Sequence, residues 1–213
     1  MSFDVLARHY RWMEFVLAGD KLQRCRTAFL TRVAAANRVL ILGEGNGRFL
    51  VECWRTLPDA KITVVDSSPR MLARACQRLK GQGINSERID FVCADALTWK
   101  PPEAAFDLIV THFFLDCFRP EQLEPLIAVL ARAAAPGANW LLADFQSAPA
   151  GWARFRSRLI LWLMYRFFTV ATRLPASSLT PPDAFLERHG FQLREREVHD
   201  WGLLHSDRWQ KLK

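Results

Sequence analysis

The sequence predicts an α/β fold in three layers: a mostly parallel sheet with an antiparallel last strand, covered by helices on both faces. Three observations lead there. The run Val39-Leu40-Ile41-Leu42 is apolar throughout and ends in glycines at alternate positions, Gly43, Gly45 and Gly47. Such a run suits a strand buried on both faces of a parallel sheet, and alternate glycines let the chain turn where a ligand meets bare backbone. Short apolar runs then alternate with stripes at helical spacing, the pattern of strand–helix–strand crossovers. Finally, two runs separated by Trp201-Gly202 close the chain as a hairpin.

The elements follow in order. Leu6, Tyr10, Met13 and Leu17 recur at helical spacing until Gly19-Asp20 breaks the pattern, and Cys25, Phe29, Leu30 and Val33 mark a second helix. This N-terminal cap, residues 1–36, either covers the mouth of a site or packs on the sheet. After the glycine loop, Leu50, Cys53, Trp54 and Leu57 form one helix face, closed by Pro58-Asp59. Ile62–Val65 is a second strand ending at Asp66. Ser67-Ser68-Pro69 opens the next helix, with serine as cap and proline in the first turn, and Leu72, Ala75, Cys76 and Leu79 are its stripe. Ile89–Cys93 is a third strand, ending in Ala94-Asp95-Ala96. Phe106–Val110 is a fourth, followed by Thr111-His112-Phe113-Phe114. A helix from about Pro120 to Ala134 leads through a turn at Pro136-Gly137 into the fifth strand, Trp140–Asp144, and completes a core over residues 37–146.

Behind that core, residues 147–180 hold an unusually apolar helix, Trp152–Leu174. Phe155, Leu159, Trp162, Leu163, Phe167 and Val170 form one stripe, widened by Ile160, Met164 and Phe168, while Arg154, Arg158 and Arg173 occupy a narrow polar strip. A helix this apolar is buried or lies against something greasy. Residues 181–213 add a short helix over 181–189, capped near Thr180, and the closing strands Phe191–Val198 and Leu203–Trp209.

Composition sets limits on function. Half of the 213 residues are hydrophobic, enough for one domain with a substantial core. Five scattered cysteines without a CxxC pair read as small core residues of a reduced, cytoplasmic protein. Asp4, Arg8 and Arg11 precede any long apolar run, so neither a secretory signal nor a conventional membrane span is expected. The net charge of +7 comes from dispersed arginines, with no compact basic cluster laced with aromatics outside one helix, which turns the reading away from nucleic acid.

The glycine loop is a nucleotide-type site, and its spacing discriminates among ligands. A phosphate-cradling loop needs Gly-Lys-Ser/Thr after its glycines, but Gly47 is followed by Arg48-Phe49. A dinucleotide fingerprint needs GxGxxG/A; from Gly43 the chain reads GxGxG, and from Gly45 the last position is Leu50. An adenosine ligand without a pyrophosphate remains, with Asp66 and Asp95 at the ends of the next two strands. With these motifs in this order, residues 37–146 resemble a class I S-adenosylmethionine-dependent methyltransferase of the small-molecule, quinone-biosynthesis-like type.

The resemblance implies a Rossmann-like methyltransferase sheet, S-adenosylmethionine as cofactor with S-adenosylhomocysteine as product, and methyl transfer to a small apolar or aromatic acceptor. It assigns Asp66 to the ribose hydroxyls and Asp95 to the neighbourhood of the adenine amino group. Gly43, Gly45, Asn46 and Gly47 make the loop, and Tyr10, Ser67, Met71, Ala96, Leu97, Thr111 and His112 surround the cofactor. The family often carries an acid where Ile41 stands; Glu44, inside the loop, either takes over the cofactor's amino group or faces solvent.

An electrophilic methyl group asks the enzyme chiefly for positioning, and for a base only if the acceptor must lose a proton. His112 and Asp116 are the catalytic candidates: a helical turn pairs them, or His112 is a structural loop histidine and Asp116 a cap. His199, Asp200, His205 and Asp207 raise a metal reading, but nothing makes them converge and no metal is expected. Trp152–Leu174 walls an apolar pocket in the first reading; in the second, its arginines hold it on an anionic lipid surface. Other acceptors are a membrane lipid or RNA, although Thr111-His112-Phe113-Phe114 lacks the Asn/Asp-Pro-Pro-Tyr/Phe of amino-methylating members. A non-catalytic cofactor-binding protein is the remaining alternative.

Overall fold

The computed structural model describes residues 19–172 and 179–213. Among them seven strands form one sheet in the order β3-β2-β1-β4-β5-β7-β6. β1 (Arg38–Leu42), β2 (Lys61–Asp66), β3 (Ile89–Cys93), β4 (Phe106–His112) and β5 (Ala134–Phe145) pair in parallel. β7 (Leu204–Lys211) runs antiparallel to β5, and β6 (Phe191–His199) antiparallel to β7. The chain leaves β1 for β2 and β3 on one side, then crosses to β4 on the other. At such a reversal the strand ends splay and leave a crevice for a ligand.

β1 shows why the sheet is covered twice. Val39 and Ile41 join a cluster with Phe49, Leu50 and Cys53 of α2 (Arg48–Thr56) and Leu79 of α3 (Pro69–Gly81). Leu40 and Leu42 join another with Leu123, Ile127 and Leu130 of α4 (Pro120–Ala133) and Leu186 of α6 (Asp183–Arg188). Alternating residues thus serve opposite faces, and an all-apolar strand satisfies both. Trp140 of β5 and Trp209 of β7 stand opposite each other in register, both fully buried.

Local signals match where chemistry is explicit. Ser68 caps α3, its Oγ accepting the Met71 N–H at 3.3 Å with Pro69 in the first turn. Other boundaries differ. Helix α1 (Gly19–Thr27) gives way to a short 3-10 turn over Leu30–Val33, where the spacing predicts one helix through Val33. Pro136-Gly137 is absorbed into β5: the pairing with β4 jumps from Phe106↔Ala134 to Leu108↔Asn139, with Gly137 at φ +77° taking up the irregularity. The N-cap of α6 is Pro182, whose ring fixes φ there, and not Thr180. Cys25 and Cys53 are buried, but Cys93 ends an edge strand and is exposed.

The apolar helix, α5 (Gly151–Thr172), packs on the sheet through the side opposite its Phe155–Leu163 stripe. Leu161 is buried with Leu22 and Cys25 of α1, Ala143 and Phe145 of β5, and Leu204. Trp152, Phe155, Leu159, Trp162 and Leu163 are exposed. The polar residues pin the orientation: Ser157 Oγ accepts the Ala148 N–H at 3.1 Å, and Arg156 reaches Asp200 at 3.0 Å. The side chains of Met164, Phe167, Phe168, Val170 and Arg173 lie outside the described residues. No helix among the described residues is long and apolar enough to cross a membrane.

Candidate active site

Gly43 N–H still bonds Val65 O at 2.9 Å before the chain turns off the sheet. Gly43, Gly45 and Gly47 all take left-handed φ, +66°, +71° and +82°. At two of them space also forbids a side chain. A Cβ on Gly47 would lie 2.8 Å from Ala75 Cα of α3, and one on Gly43 2.4 Å from the Phe114 ring. Arg78 of α3 ties the loop down by donating Nε–H to Asn46 O at 2.8 Å. The result is bare backbone at the end of β1 and the head of α2, beside the switch point.

Glu44 is buried, so the solvent-facing reading is corrected. Its Oε1 accepts the Leu50 N–H at 2.9 Å. Gly47, the N-cap of α2, has no side chain to offer, and Glu44 supplies the capping carboxylate from upstream. Burial pushes its carboxyl up to about 7, against the pull of the Leu50 N–H, the Arg26 guanidinium and the Phe49 N–H.

Asp66 ends β2 half-buried, and its Oδ1 accepts the Ser68 N–H at 2.8 Å. Asp95 is exposed past β3, in an Asx-type turn where Oδ1 accepts the Leu97 N–H at 3.0 Å. Around them Met71 is buried, Ser67 and Ala96 are half-buried, and Leu97 is exposed. Thr111 differs from expectation: its fully buried hydroxyl accepts Trp140 Nε1–H at 2.8 Å, on the α4 side of the sheet. Tyr10 lies outside the described residues.

Past β4 the chain separates the two catalytic candidates. His112 is buried on the α2 side, edge to face with Phe49 at 4.5 Å between centroids. Burial, aided by the nearby Arg26 cation, holds its pKa well below the ordinary value, so the imidazole is neutral. Its Nδ1 is buried without a hydrogen-bond partner among the described residues. Phe113 follows at φ +52°, packing on Phe145 and under the Arg26 guanidinium. Asp116 then sits in a 3-10 turn over Leu115–Cys117, and its backbone N–H donates to Asp144. Burial raises Asp116 to about 6 and holds Asp144 well above its ordinary value, where the Asp116 charge adds to the effect of burial. No His112–Asp116 hydrogen bond is present among the described contacts.

Three neighbours escaped sequence reasoning. Arg26, 5% exposed, stands over Phe113 at 5.3 Å. Phe114 covers Gly43, and Asp144 is fully enclosed at the end of β5. Arg26 carried a signal, because it lies one helical turn from Leu22 on the buried stripe of α1. So did Asp144, whose place two and four residues after Leu142 and Trp140 puts it on their face.

Comparison with known proteins bears on this geometry. Residues 39–137 match the family model described as a methyltransferase domain. A demethylmenaquinone methyltransferase of Thermus thermophilus is 28% identical over 151 residues, 70% of this chain and 66% of that protein. A trans-aconitate 2-methyltransferase of Streptomyces avermitilis is 42% identical over 82 residues, 37% of this chain and 29% of that protein. The chain therefore spans less than two thirds of either relative's length. The crystal structure of the N-methyltransferase NodS from Bradyrhizobium japonicum with S-adenosylhomocysteine superposes with a TM-score of 0.65 at 20% identity, over 90% of this chain and 88% of that one. That likeness shows a shared fold.

Proposed function

We propose, for a chain whose residues 39–137 form a class I S-adenosylmethionine-dependent methyltransferase domain, that it transfers a methyl group to a small apolar or aromatic acceptor. S-adenosylmethionine supplies, when bound, a methyl group made electrophilic by its sulfonium. The residues fit it: bare loop backbone from Gly43 to Gly47, with Asp66 and Asp95 at the neighbouring strand ends. The remaining task of the chain is to hold an acceptor in line and keep water out.

His112 carries the proposal. Its imidazole is neutral and its buried Nδ1 has no partner among the described residues; such an atom costs about 1–3 kcal/mol, and an acceptor hydroxyl donating to it removes that cost. The same contact makes His112 Nδ1 the base for that proton. Phe49, Phe113 and Phe114 gather aromatic rings around this end of β4, a wall suited to a flat or apolar acceptor. Asp116, engaged with Asp144, leaves His112 to act without a carboxylate partner.

One observation favours a second acceptor class. The Arg26 guanidinium lies over Phe113 and close enough to His112 to depress its protonation. A carboxylate acceptor, as the name of the trans-aconitate methyltransferase indicates for that protein, would be paired by Arg26 and would need no base. Labelled methyl transfer to a panel of phenols, quinols and small carboxylic acids tests both readings. Product from an aromatic hydroxyl, lost in His112→Phe, supports the first. Turnover of carboxylates alone, lost in Arg26→Gln and kept in His112→Phe, supports the second. Transfer to no small acceptor while cofactor binds would overturn both.

A further inference from the structure

Of the nine large hydrophobic residues exposed among the described residues, five lie on α5: Trp152, Phe155, Leu159, Trp162 and Leu163. With 3.6 residues per turn they share one stripe roughly 100° wide. Arg154 and Arg158 border it on one side and Arg156 on the other, Arg166 stands within it, and Gly151–Thr172 contains no Asp or Glu. The methyl-transfer chemistry uses none of these side chains. An apolar patch with a polar rim marks an interaction surface.

Trp201 extends the patch. It is 81% exposed in a hairpin turn where Asp200 (φ +47°), Trp201 (φ +59°) and Gly202 (φ +85°) are all left-handed. Two non-glycine residues in succession there are strained, and the turn persists because Asp200 is clamped. Its carboxylate accepts from Lys21 Nζ at 2.6 Å and from Arg156 at 3.0 Å. Because Arg156 belongs to α5, the clamp sets Trp201 beside the first half of that helix.

We propose that this face of α5, continued by Trp201, docks on an anionic lipid bilayer. Charge decides the occupant. Arg156 is answered by Asp200, but Arg154, Arg158 and Arg166 lie along the apolar stripe with no acid on the helix to answer them, and a plane of lipid phosphates answers these three at once. Tryptophans at the stripe's ends sit at headgroup depth, and arginine stems lie along apolar surface with the charge in the phosphate layer. The helix lies in the interface plane. Its opposite side packs through Leu161 on Ala143 and Phe145, next to Phe113 at the end of β4, so docking turns the crevice toward the bilayer. That an apolar acceptor then arrives from the lipid rests on the methyl-transfer proposal; the docking itself does not.

Co-sedimentation with phosphatidylcholine vesicles, with and without roughly a third phosphatidylglycerol, tests it. Wild-type protein should bind the anionic vesicles at least about tenfold more tightly than the neutral ones, and lose that margin at high salt. Trp152→Ser combined with Trp162→Ser should abolish binding, and Arg154→Gln with Arg158→Gln should abolish the preference for anionic lipid. Both pairs are on the surface, and an unchanged melting temperature and S-adenosylhomocysteine affinity show that each variant is folded. Cofactor binding without vesicle binding would overturn the docking alone; vesicle binding without cofactor binding would overturn the methyl-transfer proposal alone. A lipid-free dimer that the tryptophan pair dissociates would assign the face to a second copy and overturn the docking.

Discussion

The His112 imidazole meets Phe49 edge to face, with ring centroids 4.5 Å apart and planes at 86°, and leaves its Nδ1 buried without a partner among the described residues. Phe49 belongs to the first turn of α2, so this contact, together with Phe114 on Gly43, packs the glycine loop against the end of β4. His112→Phe should keep the packing and lower kcat by about a hundredfold or more, with S-adenosylhomocysteine binding retained. Burial keeps His112 neutral, so its protonation should cause no loss of activity between about pH 8 and 6.5. A limb near the ordinary histidine value that disappears in His112→Phe would contradict this.

Glu44 makes stability depend on pH in a direction opposite to most buried acids in ion pairs. Its folded value is about 7 against an ordinary 4.5. Between those values the unfolded chain has released a proton that the folded chain keeps, so stability falls as pH rises through the window and levels off above it. Relative to Glu44→Gln, whose amide oxygen still accepts the Leu50 N–H, wild-type protein should lose on the order of 3 kcal/mol across that range. Urea denaturation of both proteins at the two ends of the window measures it; a constant difference would count against a buried carboxylate.

Two glycines separate backbone strain from steric exclusion. Gly47 and Gly137 have φ of +82° and +77°, but only at Gly47 does a Cβ collide, 2.8 Å from Ala75 Cα. Gly137→Ala should cost about 1–2 kcal/mol from the left-handed backbone alone. Gly47→Ala should cost more, and it alone should weaken S-adenosylhomocysteine binding. Thermal melts and calorimetry on the two variants provide the comparison.

How much was legible in the sequence follows from how many solutions each pattern permits. An apolar strand such as Val39–Leu42 has one way to bury both sets of side chains, so the covered parallel sheet and its loop could be read directly. Helix α5 is apolar nearly all round, which leaves no face marked for the core; Ser157 chose it through Ala148 just before the helix, and Arg156 through Asp200, far away in the chain. The His112–Asp116 pairing assumed a continuing helical turn, and Phe113 at φ +52° breaks that turn with no compositional sign. Glu44 posed a choice between cofactor and solvent because nothing in its neighbours shows that α2 lacks a capping side chain until Gly47 is seen at the N-cap.

Of the residues that raised a metal reading, His205 and Asp207 belong to a buried ion-pair network, Asp200 pairs instead with Lys21 and Arg156, and His199 bonds Ser206. Asp207, fully enclosed, accepts two hydrogen bonds from Arg196, at 2.7 and 2.6 Å, one from Trp209 Nε1 at 3.2 Å, and pairs with His205 at 3.0 Å. Burial raises its pKa, but Arg196 and His205 outweigh that and hold it below 3.8. Its contribution is therefore present above that value and lost only as pH falls through the depressed one. Asp207→Asn should cost roughly 1–3 kcal/mol at neutral pH by weakening the paired hydrogen bonds from Arg196, which keeps Asp183 as a partner at 2.8 Å. A chelator should leave the melting temperature unchanged; a chelator-induced drop would restore the metal reading.

Calorimetric titration of S-adenosylhomocysteine into the wild-type chain and into Asp66→Ala tests the central claim most directly. Asp66 ends β2 with its carboxylate held by the Ser68 N–H, next to the bared backbone of Gly43 to Gly47. One site per chain, weakened at least about tenfold in Asp66→Ala, is the predicted result. A folded wild-type protein that shows neither heat of binding nor a thermal shift with this ligand would contradict the account.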